Sequence, residues 1–130
     1  MIQRSATFPA NRHALDAVHG YSAAIRSGDG LCVSGQVGSG SDSSPNPNFE
    51  AQVRLAFSNL AATLTAAGCS FGDIVDVTCF HAEPETQLPT IMQGKAEILP
   101  SAPDRNWTAL GVTWRASFEV EIKLTARIPD

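Results

Sequence analysis

The most regular hydrophobic pattern in the chain has the period of an amphipathic helix and covers residues 49–67. Its apolar positions recur every three or four residues and so share one face: Val53, Ala56, Phe57, Leu60 and Leu64. Asn48 is a suitable N-cap, and Gly68 is placed to end the helix in a left-handed conformation. The pattern predicts a helix whose apolar face lies in the core.

A second helix is predicted over residues 85–99. Five side chains fall near one face of it: Leu88, Ile91, Met92, Lys95 and Leu99. Pro89 is expected in the first turn, where its missing N–H has little effect. Proline residues then interrupt the chain over residues 100–103.

Strand patterns surround the two helices. The clearest covers residues 118–128, where apolar and polar side chains alternate over eleven positions. Other strands are predicted over residues 21–26, 31–37, 74–80 and 107–112, and a turn over residues 27–30 joins the first two into a hairpin. Residues 38–47 carry two prolines and no large apolar side chain, which predicts a loop without an anchor in the core.

The predicted element order is β-β-α-β-α-β-β in one domain, residues 1–130. This order is typical of an α/β (α+β) fold in which a mixed sheet carries two helices on one face. The other face would then carry side chains without a covering layer. A half-covered sheet with apolar residues on its second face tends to pack on another copy of itself.

Composition narrows the class of protein. Hydrophobic residues make up 43% of the 130 residues and charged residues 17%, which is typical of one globular domain. Nine basic and 13 acidic residues give a net charge of −4, which argues against a general nucleic-acid binder. No apolar run approaches the roughly 20 residues of a membrane span. The odd set of Cys32, Cys69 and Cys79 fits neither a disulfide framework nor a zinc site and predicts reduced thiols in a cytoplasmic protein.

Three blocks of residues, in order along this pattern, resemble the YjgF/RidA family, also called the reactive intermediate deaminase family or, by its older name, endoribonuclease L-PSP. The blocks are Gly20-Tyr21-Ser22-Ala23-Ala24 with Leu31-Cys32-Val33-Ser34-Gly35-Gln36-Val37, then Gln52, Asn59-Leu60, Ala66-Ala67-Gly68 and Gly72-Asp73-Ile74-Val75-Asp76-Val77-Thr78, and finally Val120-Glu121-Ile122. The resemblance implies a chorismate-mutase-like fold and a homotrimer. It further implies small-molecule clefts between subunits and no cofactor.

The resemblance also implies where a cleft would lie. Tyr21 matches a cleft tyrosine, and Ser34 and Gly35 match a segment whose backbone lines the cleft. Glu121 matches an acidic residue of the last strand that holds water. An Asn of the second helix in many members falls on or near Met92.

The carboxylate-binding half of the cleft departs from the family pattern. In the deaminases an Arg near the start of the penultimate strand binds the substrate carboxylate. Counted back from Gly111-Val112, this position holds Trp107, and a family Cys two residues later is replaced by Ala109. Arg105 lies two residues before Trp107 and so on the same face of a strand. Glu121 and Arg105 are therefore the catalytic candidates, and no metal ligands are predicted.

Three functions follow from these residues as hypotheses. The first is a hydrolase or deaminase of imines, enamines or related reactive metabolites, in which Glu121 orients water. The second is a non-catalytic trimer that binds or senses a metabolite, since Trp107 makes the cleft flatter and more apolar than an arginine would. The third is an endoribonuclease, which the acidic charge balance disfavours.

Overall fold

The computed structural model describes residues 3–9, 20–40, 44–99, 105–113 and 116–130. Six strands form one sheet in the order β1-β2-β3-β6-β4-β5, with β4 and β5 parallel and the other neighbouring pairs antiparallel. The elements are β1 (Arg4–Thr7), β2 (Ala24–Ser27), β3 (Gly30–Val37), α1 (Phe49–Ala66), a 3-10 helix (Phe71–Asp73), β4 (Ile74–His81), α2 (Pro84–Ile98), β5 (Asn106–Gly111) and β6 (Val120–Arg127). The fold is therefore the expected mixed α+β arrangement.

The first strand was not predicted, so the expected order β-β-α-β-α-β-β lacks one element. β1 pairs with β2 at the sheet edge, from Arg4 opposite Ser27 to Thr7 opposite Ala24. Its residues are exposed or half-buried and show no apolar alternation. Backbone pairing rather than side-chain burial forms this strand, which explains why hydrophobic periodicity missed it.

Both helices lie on one face of the sheet, as predicted. The inward side chains of the central strands are fully or almost fully buried against them: Leu31, Val33, Val77, Cys79, Ile122 and Leu124. Gly94 of α2 lets the two helices approach closely, because an added Cβ would lie 3.1 Å from Cγ1 of Val53. The opposite face carries the intervening side chains and has no helix on it among the described residues. It is called the open face below.

The ends of α1 follow from the sequence as expected. The side chain of Asn48 caps the first turn by accepting a hydrogen bond from the Ala51 N–H at 3.0 Å. Gly68 has a φ of +77°, and its N–H bonds to the Thr65 carbonyl while the Cys69 N–H reaches Leu64. This pair of bonds is the Schellman arrangement that glycine favours at a helix end.

The predicted inward face of α2 is correct except at Leu88. Ile91 and Leu99 are buried and Met92 packs against the core, whereas Leu88 is 37% exposed and Gln87 is buried in its place. Gln87 tolerates burial because its Oε1 accepts a hydrogen bond from the Glu83 N–H at 3.1 Å. The expected first-turn position of Pro89 is also wrong, because the helix begins at Pro84 and Pro89 lies inside it. Among the described residues, neither helix combines the length and apolar character needed to cross a bilayer.

The loop over residues 38–47, of which 41–43 lie outside the described residues, was expected to have no apolar anchor. Polar contacts nevertheless hold both of its ends. The Asn59 Nδ2 donates to the carbonyls of Val37 and Ser39 at 2.8 and 3.3 Å, and Ser39 is buried. The Gln52 Nε2 donates to the Asn46 carbonyl at 2.7 Å. Hydrogen bonds to α1, rather than apolar contacts, hold these ends.

Candidate functional site

A half-buried carboxylate stands on the open face of the sheet. Glu121 belongs to β6 and lies between Val37 of β3 and Phe80 of β4. Burial raises the pKa of the Glu121 carboxyl, and the positive charge of Lys123 partly opposes this. Desolvation disfavours the charged form of an acid, so the carboxyl is a stronger base than an exposed glutamate. Such a group is suited to accepting a proton from a bound water.

A β-bulge in β3 makes room for this carboxylate. Val33 pairs with Leu124 and Gln36 with Ile122, so three steps on β3 match two on β6. Gly35 lies in this bulge, and a Cβ added to it would stand 2.5 Å from both Cδ and Oε1 of Glu121. The carboxylate therefore occupies the space that any other side chain at position 35 would fill. A bulge redirects the strand locally and so makes room for such a side chain.

Ser34 connects the bulge to the segment that carries Tyr21. Its Oγ donates to the Ser22 carbonyl at 2.7 Å, and its N–H donates to the Ala23 carbonyl at 2.9 Å. Both donors of Ser34 are thus engaged within the chain, and its part in a site is to fix the backbone behind Tyr21. The Tyr21 side chain is 48% exposed, so about half of its surface faces solvent on this side of the segment.

A second group of candidates lies on the edge strand β5 and faces the helices. Trp107 pairs with Val77 and Ala109 with Cys79, both of which are buried on the helix side of the sheet. Arg105 immediately precedes the strand, is half-buried, and shares this face by alternation. Trp107 packs against the hydrophobic core, whereas Ala109 is exposed. This group lies on the edge of the sheet, next to α2.

A lysine of α2 stands over the indole of Trp107. The Lys95 Nζ is 4.9 Å from the centre of the ring, which is a cation–π distance. Met92, one helical turn earlier, is half-buried against the core. The sequence placed Lys95 on an apolar helix face but did not single it out, since nothing local connects residue 95 with residue 107. Only the packing of α2 on β5 joins them.

Within one chain the two groups do not meet. Glu121 is two strands away from β5, which is about 10 Å across the sheet. Along the strand direction, Glu121 lies at the same height as Leu110, because both pair with Phe80 of β4. Leu110 is three residues, or about 10 Å, from Trp107 along β5. Their side chains also leave opposite faces of the sheet. A small ligand bound to one chain alone would therefore not touch both Glu121 and Trp107.

Known proteins resemble this chain over nearly its whole length. The family model described as endoribonuclease L-PSP matches residues 11–128. The RutC family protein YjgH of Escherichia coli (strain K12) is 62% identical over 130 residues, covering 100% of this chain and 99% of that protein. A solved structure described as protein YJGH has a TM-score of 0.92 at 63% identity, with 98% of each chain covered.

A more distant structure supports the same assignment. RidA from the Antarctic bacterium Psychrobacter sp. PAMC 21119 has a TM-score of 0.79 at 26% identity, again with 98% of each chain covered. The chain belongs to the endoribonuclease L-PSP family, which is the YjgF/RidA family.

Proposed function

We propose that this protein is a homotrimeric hydrolase that deaminates reactive imines or enamines in clefts between its subunits. The observation that carries the proposal is the half-buried Glu121 carboxylate seated over Gly35, with its pKa raised by burial. Family membership supports a small-molecule function of this kind. The three free thiols of Cys32, Cys69 and Cys79 agree with a cytoplasmic location.

The chemistry needs one base and one water. With the imine protonated on nitrogen, ionised Glu121 accepts a proton as the water oxygen bonds to the imine carbon, which gives a neutral carbinolamine. The carboxyl returns this proton to the nitrogen, and the carbinolamine hydroxyl then gives its own proton to the Glu121 carboxylate as the C–N bond breaks, the C=O bond forms and ammonia leaves. The departing ammonia finally takes that proton from Glu121 and restores the ionised base. The overall reaction converts an imine and water to a ketone and ammonia, without any change of oxidation state. No cofactor is needed for this balance.

The separation of the two residue groups supports catalysis between subunits. One chain would contribute Glu121, Gly35 and the Tyr21 wall, and its neighbour would contribute the β5 edge with Trp107 and Arg105. Each chain alone holds only half of such a cleft, because the two groups leave opposite faces of its sheet. The open face, with Leu110 45% exposed beside Phe80, provides apolar surface for the packing of subunits.

Substrate choice depends on what replaces the family arginine. Trp107 has one N–H donor and no positive charge, so it cannot form an ion pair with a carboxylate. Arg105 shares its face and stands directly before β5, which makes it the alternative anchor on this strand. We therefore expect weak deamination of the smallest 2-imino acids and better activity on substrates with an apolar or flat group.

The test is ammonia release from freshly generated imines of alanine, leucine and phenylalanine, measured above spontaneous hydrolysis. Glu121→Gln should lower kcat at least about 100-fold, because an amide cannot accept the proton. Glu119→Gln is the matched control, since Glu119 is exposed and its described contacts are made by its backbone. Wild-type kcat/KM should fall as the pH drops through the raised pKa of Glu121, because the base is then protonated.

Two results would contradict this proposal. Equal rates for wild type and Glu121→Gln would remove Glu121 from the mechanism. No acceleration of any imine would leave the second hypothesis, a non-catalytic trimer that binds a metabolite. One observation favours that hypothesis, namely that Trp107 packs on the core. By the resemblance, its indole occupies the position of the family's arginine. Binding without turnover would then appear as ligand-induced shifts in melting temperature.

A further inference from the structure

The Lys95 ammonium is a positive charge that the fold holds over Trp107, and no described residue forms a carboxylate ion pair with it. Its Nζ lies 4.9 Å from the centre of the Trp107 ring. The ion pairs found among the described residues are formed by Arg54 and Arg127, not by Lys95. A contact with a π-face leaves the three N–H donors of an ammonium available to an acceptor.

The ring beneath Lys95 is fixed in place. Trp107 packs against the hydrophobic core, and its Nε1 is buried without a hydrogen-bond partner in the described part of the chain. Lys95 itself is half-buried. The packing of α2 on β5 thus fixes the position of the ammonium, unlike that of a lysine that extends into solvent.

We infer that Lys95 anchors the carboxylate of a 2-keto or 2-imino acid that carries an apolar or aromatic substituent, at the edge formed by α2 and β5. This assignment rests on the proposed function and gives it a specific anchor. Lys95 reaches the position of Trp107 from the helix above it and restores there the positive charge that the indole lacks. Arg105, on the same face of the strand, adds to the positive potential around the ligand.

An ammonium recognises a carboxylate differently from a guanidinium. It is a compact point charge and does not impose the bidentate, planar geometry of arginine. The anchor should therefore tolerate ligands of different shapes, while the indole beside it favours an apolar or aromatic substituent. Affinity should also weaken as salt is added, because the ammonium is only partly shielded from water.

Calorimetric titration with 2-oxo-3-phenylpropanoate tests this assignment, with its uncharged methyl ester as the comparator. Lys95→Met keeps the aliphatic stem and removes the charge, and it should weaken binding of the acid about tenfold or more. Lys95→Arg should keep the affinity within about threefold, since it keeps the charge. Arg26→Gln is the control, because it removes one positive charge from an exposed side chain on β2, four strands away from β5.

The assignment is overturned if Lys95→Met binds the acid as tightly as wild type, if the ester binds as tightly as the acid, or if wild type binds neither. The comparison of acid with ester uses wild-type protein, so it stands even if a Lys95 variant folds poorly. Titration needs no turnover and therefore separates the two proposals. If binding of the keto acid depends on Lys95 but no imine releases ammonia, the hydrolase is refuted and the anchor stands. If imines are turned over and Lys95→Met leaves KM unchanged, only the anchor is refuted.

Discussion

Adding one methyl group at Gly35 should disable the proposed base with little effect on the stability of the fold. In Gly35→Ala the new Cβ would lie 2.5 Å from Cδ and Oε1 of Glu121 and 2.8 Å from Cγ. Non-bonded carbon atoms rest about 3.5–4.0 Å apart, so the carboxyl group must move by about 1 Å. The atoms in the way are the end of a flexible side chain, and this end can rotate toward solvent.

Two magnitudes follow from this movement. A displacement of about 1 Å in a reacting group costs up to about 100-fold in rate. The free energy of unfolding should change by less than about 1 kcal/mol, since alanine also restricts the unfolded chain more than glycine does. Because the displaced carboxyl is better hydrated, the pKa of Glu121 should fall toward its ordinary value.

The assay combines ammonia release, thermal unfolding and a carbon NMR titration of the Glu121 carboxyl. Gly72→Ala is the matched control, since the nearest atom to its added Cβ is Ser70 Oγ at an ordinary 3.6 Å. The titration reports on the position of the carboxyl even if no substrate is turned over. A Gly35→Ala protein that keeps both the raised pKa and the full rate would refute this account of the bulge.

Four further predictions concern the rest of the molecule. Trp107→Arg should raise deamination of 2-iminopropanoate about tenfold at some cost in melting temperature, and adding Glu121→Gln should remove the gain in an ammonia assay. Gly38→Ala should lower the free energy of unfolding in urea by about 1–3 kcal/mol, because its Cβ meets the backbone of Gln52 rather than a flexible side chain. Burial lowers the pKa of His81 in the folded chain, so below pH 6.5 the unfolded chain binds a proton that the native chain does not. The free energy of unfolding of wild type should therefore fall as the pH drops below 6.5. Unfolding curves measured against pH should show that His81→Leu loses this dependence. Light scattering should give a trimer of about 41 kDa from chains of 13.7 kDa, and a monomer at micromolar concentration would contradict the shared clefts.

The sequence by itself determined the elements whose stability comes from local pattern. The helical period of α1, its Asn48 cap and its Gly68 terminus all appear in the structure as predicted. The same holds for β6, whose alternation separates Glu121 from the buried Ile122 and Leu124. In each case the side chains that decide the structure are close together along the chain, so the sequence pattern alone is enough to predict the element.

Only the tertiary structure decided what depends on contacts between distant residues. β1 exists because its backbone pairs with β2, and the inward face of α2 includes Gln87 because Glu83 satisfies its amide. The bulge that seats Glu121 over Gly35 depends on the register between β3 and β6, which hydrophobic alternation does not specify. The pairing of Lys95 with Trp107 is likewise set by helix packing. Strand order, finally, separates Glu121 from Trp107 by two strands, and register places their side chains on opposite faces of the sheet.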